Sequence, residues 1–382
     1  MEKRDRKGTG NRPLRFAAGI IAIIFILIGC GCCTWDLDVV DYTPVPGADW
    51  EISTPEAQGL DPKLVAELYF NAAKVETLNA VLVIKNGYLI AEGYFNGGGV
   101  DQKTSIASVT KSCTSALVGI ALEQGYLTSL DQKLIDFFPE LADEIVDPRK
   151  EQITIRQMLK MRAGYPWEES TPEWLEILVT GFLTRHLVDI PLVRDPGSGF
   201  DYSNLTAHLL GVVVARAVGT DLRTFAEDNL FAPLRVELGD WFTDWEYNYN
   251  GHGDIHLTAR DMAKFGLLYL NHGEYEGNEV VPAPWVDDSI QTYTEDAWSY
   301  RIGRNFTDLG YGYQWWSGRA GDHQFNFAWG HGGQQVALFE EQNMIVVVKA
   351  DPFYLQHGGG TWKYEKENLN LVGDFISSLP GE

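Results

Sequence analysis

The chain has 382 residues, 45% of them apolar, which is enough for one large domain or two closely packed ones. Its formal net charge is −23. A surface this acidic repels phosphate backbones and argues against nucleic-acid binding. Tryptophan occurs 12 times, a count compatible with core packing and with pocket lining alike.

The first fifteen residues oppose the general charge, with Lys3, Arg4, Arg6, Lys7, Arg12 and Arg15 against Glu2 and Asp5. An apolar run from Phe16 to Ile28 follows. This is the pattern of a signal peptide over residues 1–29. It ends in Leu27-Ile28-Gly29-Cys30, which resembles a bacterial lipobox with Cys30 as the lipidated residue. Acyl chains there would supply membrane affinity. The apolar run through Cys33 is also about 18 residues, near the minimum for a single-span anchor. Each alternative, plain secretion included, places the rest of the chain outside the cytoplasm, because the basic flank stays inside. Cys30, Cys32 and Cys33 cluster at this end, and Cys113 is the one cysteine beyond it. A disulfide within the domain and cysteine ligation of a metal are thereby excluded.

Residues 30–50 read as a tether, and residues 51–382 as the domain. A helix is expected over Asp61–Leu68. Two β-rich runs, Ala80–Lys85 and Tyr88–Phe95, flank Asn86-Gly87, a strong hairpin signal. Residues 108–124 lack a polar stripe and predict a buried helix. Further helical runs are expected at 130–138, 154–161, 205–218 and 258–271. Strands return at Tyr311–Trp316, Asn326–Trp329, Val336–Phe339 and Met344–Lys349, before a last helix over 363–378. The predicted fold is therefore α/β (α+β). An antiparallel sheet is assembled from both chain ends and flanked by helices, with a mostly helical domain over about 110–275 inserted between them. Sites commonly form at such junctions.

Three motifs carry the chemistry. Ser108-Val109-Thr110-Lys111 puts a hydroxyl and an amine three residues apart, on one helix face. At the first helical turn the serine meets the positive end of the helix dipole. Lys111 is the one charge between Lys103 and Glu123. A buried lysine has a lowered pKa and can serve as the base a serine nucleophile requires. Alone, the tetrapeptide is common and Ser108 reads equally as a helix cap. Tyr202-Ser203-Asn204 adds a phenol able to relay a proton, partly as phenolate beside the lysine, and an amide to orient lysine or substrate. His331-Gly332-Gly333-Gln334 lies between strand-like runs. Its backbone amides could pair with that of Ser108 to hold an oxyanion, although a plain hairpin turn explains it as well. Trp167, Trp316 and Trp329 are candidates for lining a pocket or for core. His252 and His256 raise a metal-hydrolase reading, but no acidic-histidine helix motif accompanies them and loop histidines are the better account.

Taken in order, these motifs resemble the serine β-lactamase and penicillin-binding-protein-like superfamily. The resemblance is to its class C-like branch, which includes D-stereospecific peptidases, esterases and 6-aminohexanoate-dimer hydrolases. It extends over about residues 50–350. Ile153–Leu159, Pro196-Gly197 with Phe200–Asn204 and Leu209–Gly211, Leu257–Gly266, Gly310–Trp315 and Gly330–Gln334 are similar to family segments. The resemblance implies Ser108 as nucleophile, Lys111 as its base and Tyr202 as proton relay. It implies Asn204 as polar support, the amides of Ser108 and Gln334 as oxyanion donors, and no cofactor. It also implies a β-lactamase/transpeptidase-like fold and an acyl-enzyme mechanism. Two departures stand out. His331 occupies the lysine position of the family's Lys-Thr-Gly, which weakens the case for a β-lactamase or D-amino-acid carboxypeptidase and favours a small-molecule ester or amide. Met161-Arg162-Ala163-Gly164 replaces a common His-Thr-Ser-Gly. The expected protein is a membrane-tethered serine hydrolase. A catalytically silent envelope binding protein is the rival of another class.

Overall fold

The computed structural model describes residues 37–170, 181–298, 302–354 and 361–381. Asp61 caps the first helix, Pro62–Ala72, by accepting from the Lys63 amide at 2.9 Å. Pro62 sits at the first helical position, where no amide hydrogen is needed. Strands β1 (Leu78–Lys85) and β2 (Tyr88–Tyr94) follow as a hairpin. Asn86 and Gly87 both take positive φ, 53° and 81°, the two-residue turn that Asn-Gly favours.

The chain then leaves the sheet. Thr104–Ser105 (β3) pairs with His256–Leu257 (β4), and Glu274–Tyr275 (β5) with Asn278–Glu279 (β6). It returns as β7 (Phe306–Tyr311), β8 (Trp316–Ala320), β9 (His323–Gly330), β10 (Gln334–Phe339) and β11 (Met344–Ala350). The main sheet has the order β2-β1-β11-β10-β9-β8-β7, and every neighbouring pair is antiparallel. The two chain ends meet at β1 and β11, where Val83 lies opposite Val346 and Leu82 opposite Val347.

Alternation sorts the side chains to two faces. Val81, Val83, Val346 and Val348 join a core layer with the helices Pro62–Ala72 and Thr361–Ser377. Leu82, Ile84, Ile345 and Val347 join another with Thr110–Glu123 and Ala259–Leu270. Helices therefore cover both faces, which is why Met344–Val348 of β11 reads as an unbroken apolar run. Each such fully buried Val, Ile or Leu side chain contributes about 1.5–3 kcal/mol.

Between β2 and β7 the main elements are helices: Thr110–Glu123, Ile155–Leu159, Asn204–Val218, Ala259–Leu270 and Ala283–Ile290. Leu37 to Glu382 nevertheless form one unit, so this insertion does not stand apart as a separate body.

Three expectations need correction. The run at 130–138 holds one short 3-10 turn, Leu134–Phe137, rather than a helix; Pro139 cannot continue a helix from that turn and opens a second one, Pro139–Glu144. Tyr311–Trp316 is a reversal between β7 and β8 rather than a strand. Gln314 takes a φ of 63° there, and its amide nitrogen is spent on the carbonyls of Met158 and Leu159. The aromatic run is buried around that polar anchor. Finally, part of the expected tether is docked. Trp50 is buried, Val45 donates to Glu92 at 2.8 Å, and the Val45 carbonyl accepts from Arg260 at 2.5 Å. Residues 1–29 and Cys30 lie outside the described residues. Among the described residues no single helix is long and apolar enough to cross a membrane.

Candidate active site

Ser108 lies in the 3-10 turn Ala107–Val109, which feeds directly into the helix Thr110–Glu123. Ala107 has a φ of 46°, a left-handed conformation that a non-glycine residue adopts at a cost. Its amide donates to Ser105 Oγ at 3.1 Å. This tight entry places Ser108 at the helix start instead of one turn inside it.

Lys111 follows in the first helical turn and is 1% exposed. Its Nζ is 2.9 Å from Ser108 Oγ, 2.7 Å from Asn204 Oδ1 and 2.8 Å from the His252 carbonyl. Three acceptors match the donor capacity of an ammonium group. Burial nonetheless lowers the lysine pKa to about 8, against the opposing pull of Glu169, Glu168 and Asp254. The amine is thus poised near neutrality and already in contact with the hydroxyl it would deprotonate.

Tyr202 hydrogen-bonds Ser108, and its ring centroid is 4.9 Å from Lys111 Nζ. Its ring meets Tyr311 edge-on and lies tilted against Trp316. Burial is the main cause of a raised phenol pKa, reinforced by Glu169, Glu365 and Glu168 and opposed by the Ser108 hydrogen bond. The resting group is therefore a neutral phenol. This corrects the expectation of partial phenolate beside the lysine: desolvation outweighs the Ser108 hydrogen bond. The two environments push the pair apart, lysine toward base and tyrosine toward acid.

Asn204 opens the helix Asn204–Val218, capped by Ser203, whose hydroxyl accepts from Thr206 N at 3.0 Å. Glu168 is clamped to the same helix start. It accepts from Ser203 Oγ (2.7 Å), Asn204 N (2.8 Å) and Leu205 N (3.0 Å). Glu169, next in sequence, accepts from Asn204 Nδ2 at 2.7 Å. Both glutamates escaped sequence reasoning, since a loop Glu-Glu carries no periodic or spacing signal.

His331 sits on the turn between β9 and β10, with its side chain 48% exposed and Nδ1 3.3 Å from Glu365. That hydrogen bond is the main cause of a raised histidine pKa. Glu365, on the last helix, also accepts from Trp329 Nε1 at 2.8 Å and from Gly332 N at 3.4 Å. Gly333 donates its amide to the Gly330 carbonyl at 3.0 Å; a Cβ at Gly333 would come within 2.5 Å of Asn368 Cβ. Gly330 makes the closest approach to the nucleophile turn, where an added Cβ would lie 2.4 Å from the Ile106 carbonyl.

A cavity of about 430 Å³ opens on Ser108. Tyr202, Glu169, Gly330, His331 and Glu365 line it together with Trp167, Trp298, Trp316, Trp329 and Trp362. The three tryptophans singled out from sequence thus all reach it. Trp298 and Trp362 were missed, and nothing in their local sequence marks them. Gln334 does not reach it. That side chain is fully buried, donating to the Ala350 carbonyl at 2.6 Å and accepting from the Ala350 amide at 3.1 Å. It ties β10 to β11, and of the residues around this turn Gly330 and His331 line the cavity over Ser108. Gly332 and Gly333 supply the turn geometry without lining the cavity. His252 contributes its carbonyl. Its ring is kept neutral by burial and by the Lys111 charge and meets His208 at 5.8 Å. His256 lies instead on β4, opposite Ser105.

The model of the family described as Beta-lactamase matches residues 72–363. The 6-aminohexanoate-dimer hydrolase of Paenarthrobacter ureafaciens is 25% identical over 254 residues, 62% of this chain and 64% of that protein. Beta-lactamase-like protein 2 of Dictyostelium discoideum is 23% identical over half of this chain, which spans 39% of that protein. Among solved structures, EstCE1, a hydrolase with promiscuous acyltransferase activity, superposes with a TM-score of 0.65 at 17% identity, covering 83% of this chain and 98% of its own. The octameric penicillin-binding protein homologue of Pyrococcus abyssi gives 0.62 at 19% identity, covering 81% and 77%. These likenesses establish the fold, and the family match covers most of the chain. The chain belongs to the beta-lactamase family.

Proposed function

We propose that the protein is an active serine hydrolase that cleaves an ester or amide through an acyl-enzyme on Ser108. The observation that carries this reading is the 2.9 Å contact between Ser108 Oγ and a Lys111 amine that is 1% exposed. Neutral Lys111 takes the Ser108 proton as Oγ attacks the substrate carbonyl carbon. The oxyanion is held by the amides of Ser108 and His331. Of the turn amides, those of Gly332 and Gly333 already serve Glu365 and Gly330. Tyr202, a neutral phenol, delivers a proton to the leaving oxygen or nitrogen and regains one from Lys111. Water then attacks the acyl carbon with the same groups in reverse roles.

The occupied histidine position narrows the substrate. His331 is paired with Glu365 and is not free to clamp a substrate carboxylate as a lone cation would. That favours a carboxylate-free ester or amide over a β-lactam or a D-Ala-D-Ala peptide. The test is a panel of p-nitrophenyl esters, nitrocefin and D-Ala-D-Ala peptide, with fluorophosphonate labelling and Ser108→Ala as control. Ser108-dependent labelling and ester turnover are expected. Nitrocefin turnover faster than the esters overturns the substrate reading, and absent labelling overturns the enzyme reading.

We also propose export and membrane tethering through Cys30. The support is the basic stretch, the apolar run and Leu27-Ile28-Gly29-Cys30. Membrane fractionation of wild type and Cys30→Ala tests it: wild type in the membrane fraction and release of the variant are expected.

A further inference from the structure

The cavity over Ser108 combines indole faces with carboxylates and has no lysine or arginine among its described lining residues. Trp298 stands at the centre of the indoles, with ring centroids 4.8 Å from Trp167, 5.8 Å from Trp316, 5.9 Å from Trp329 and 6.3 Å from Trp362. The two carboxylates differ in what they already hold. Glu365 faces His331 at 3.3 Å and accepts from Trp329 and Gly332. Glu169 has an uncharged amide, Asn204 Nδ2, as its hydrogen-bond donor. Lys111 gives its three hydrogens to Ser108, Asn204 and His252, behind the cavity wall. Glu169 is also held in place, because the adjoining Glu168 is locked to the start of the helix Asn204–Val218.

A neutral acyl chain would fill the indole surfaces and leave Glu169 with no cation in direct contact, since Lys111 reaches it only across Asn204. An anionic group would face it directly. Indole faces attract cations through their quadrupole, and a quaternary alkylammonium group both matches them and is weakly hydrated enough to enter. From these observations we infer that the site selects substrates carrying a quaternary alkylammonium group, seated between the indoles and Glu169. This inference rests on the serine-hydrolase reading for its catalytic arm and deepens it by naming the substrate class. The chain's net charge of −23 draws such cations toward the protein as well.

The test compares shape-matched esters that differ in charge alone. On the acyl side these are p-nitrophenyl 4-(trimethylammonio)butanoate and p-nitrophenyl 5,5-dimethylhexanoate. On the alcohol side they are acetylcholine and 3,3-dimethylbutyl acetate. In at least one pair the cationic ester is expected to have a kcat/KM about tenfold higher, and Glu169→Gln is expected to bring that ratio toward one. A ratio at or below one in both pairs overturns the inference, as does a preference that Glu169→Gln leaves intact. Ser108-dependent turnover of the neutral esters without any cation preference sinks this inference alone. A binding arm is independent of catalysis: tetramethylammonium should quench tryptophan fluorescence of Ser108→Ala saturably, and less so in Ser108→Ala/Glu169→Gln. Absence of saturable quenching overturns the inference even where esters are hydrolysed.

Discussion

The side chain of Asn204 joins two groups of opposite charge: its Oδ1 accepts from Lys111 at 2.7 Å while its Nδ2 donates to Glu169 at 2.7 Å. The amide thus keeps a carboxylate one residue away from the amine. Were the two in direct contact, the lysine would be held protonated.

Asn204→Asp puts a carboxylate against Lys111 and favours the ammonium form. The acid limb of the kcat/KM profile should therefore move to higher pH by about one unit or more. Asn204→Ala removes the spacer without adding charge and should shift the limb less. Ester hydrolysis followed from pH 6 to 10 separates them.

Lys111→Met removes the base while keeping a similar apolar stem. Ester kcat/KM should fall by about 10³-fold or more. Because a buried cation carries a desolvation cost, the variant should be no less stable than wild type near pH 7. Stopped-flow ester kinetics and thermal unfolding monitored by circular dichroism check both halves.

The lysine also sets a sign for stability. Its pKa falls to about 8 from an ordinary 10.5, so between those values the unfolded chain binds more protons than the folded one. The contribution of Lys111 to stability should rise as pH goes from about 8 toward 10.5, and its cost is fully present below 8. His331 runs the other way. Its pKa is raised, so its contribution is complete below the ordinary histidine value and is lost as pH rises through the folded value. Imidazole NMR should show His331 titrating above 6.5 and dropping in Glu365→Gln, with His252 staying neutral well below 6.5.

Gln334→Leu strips two hydrogen bonds from the buried Ala350 backbone and should cost about 1–3 kcal/mol. Its kcat per folded molecule should change little, since the side chain does not line the cavity. Urea unfolding and active-site titration measure the two quantities.

The parts of this molecule that follow a period or a fixed spacing were legible in its sequence. The Asn86-Gly87 hairpin, the apolar run Met344–Val348 of β11, and the lysine three residues after Ser108 all follow from local geometry. What escaped was placed by long-range packing. Glu169 and Trp298 come from irregular segments, and Glu365 from one face of a distant helix. The aromatic run Tyr311–Trp316 looked like a strand because its apolar character was visible, while the carbonyls of Met158 and Leu159 that turn Gln314 were not. Gln334 stood out by its backbone amide after two glycines, while the tie its side chain makes to Ala350 on β11 had no local signal.

The pairing of β1 with β11 has a consequence for synthesis. Lys85 meets the Gln342 carbonyl across 257 residues of chain, and Gly330 closes on Ile106 from a comparable remove. Contacts of such high order form late. A nascent chain that has not released β11 exposes the apolar edge of β1 and has no wall opposite Ser108. The nucleophile helix can be made early, but a working pocket arises only after nearly all of the polypeptide has emerged, and until then that bare edge is open to chaperones or to aggregation.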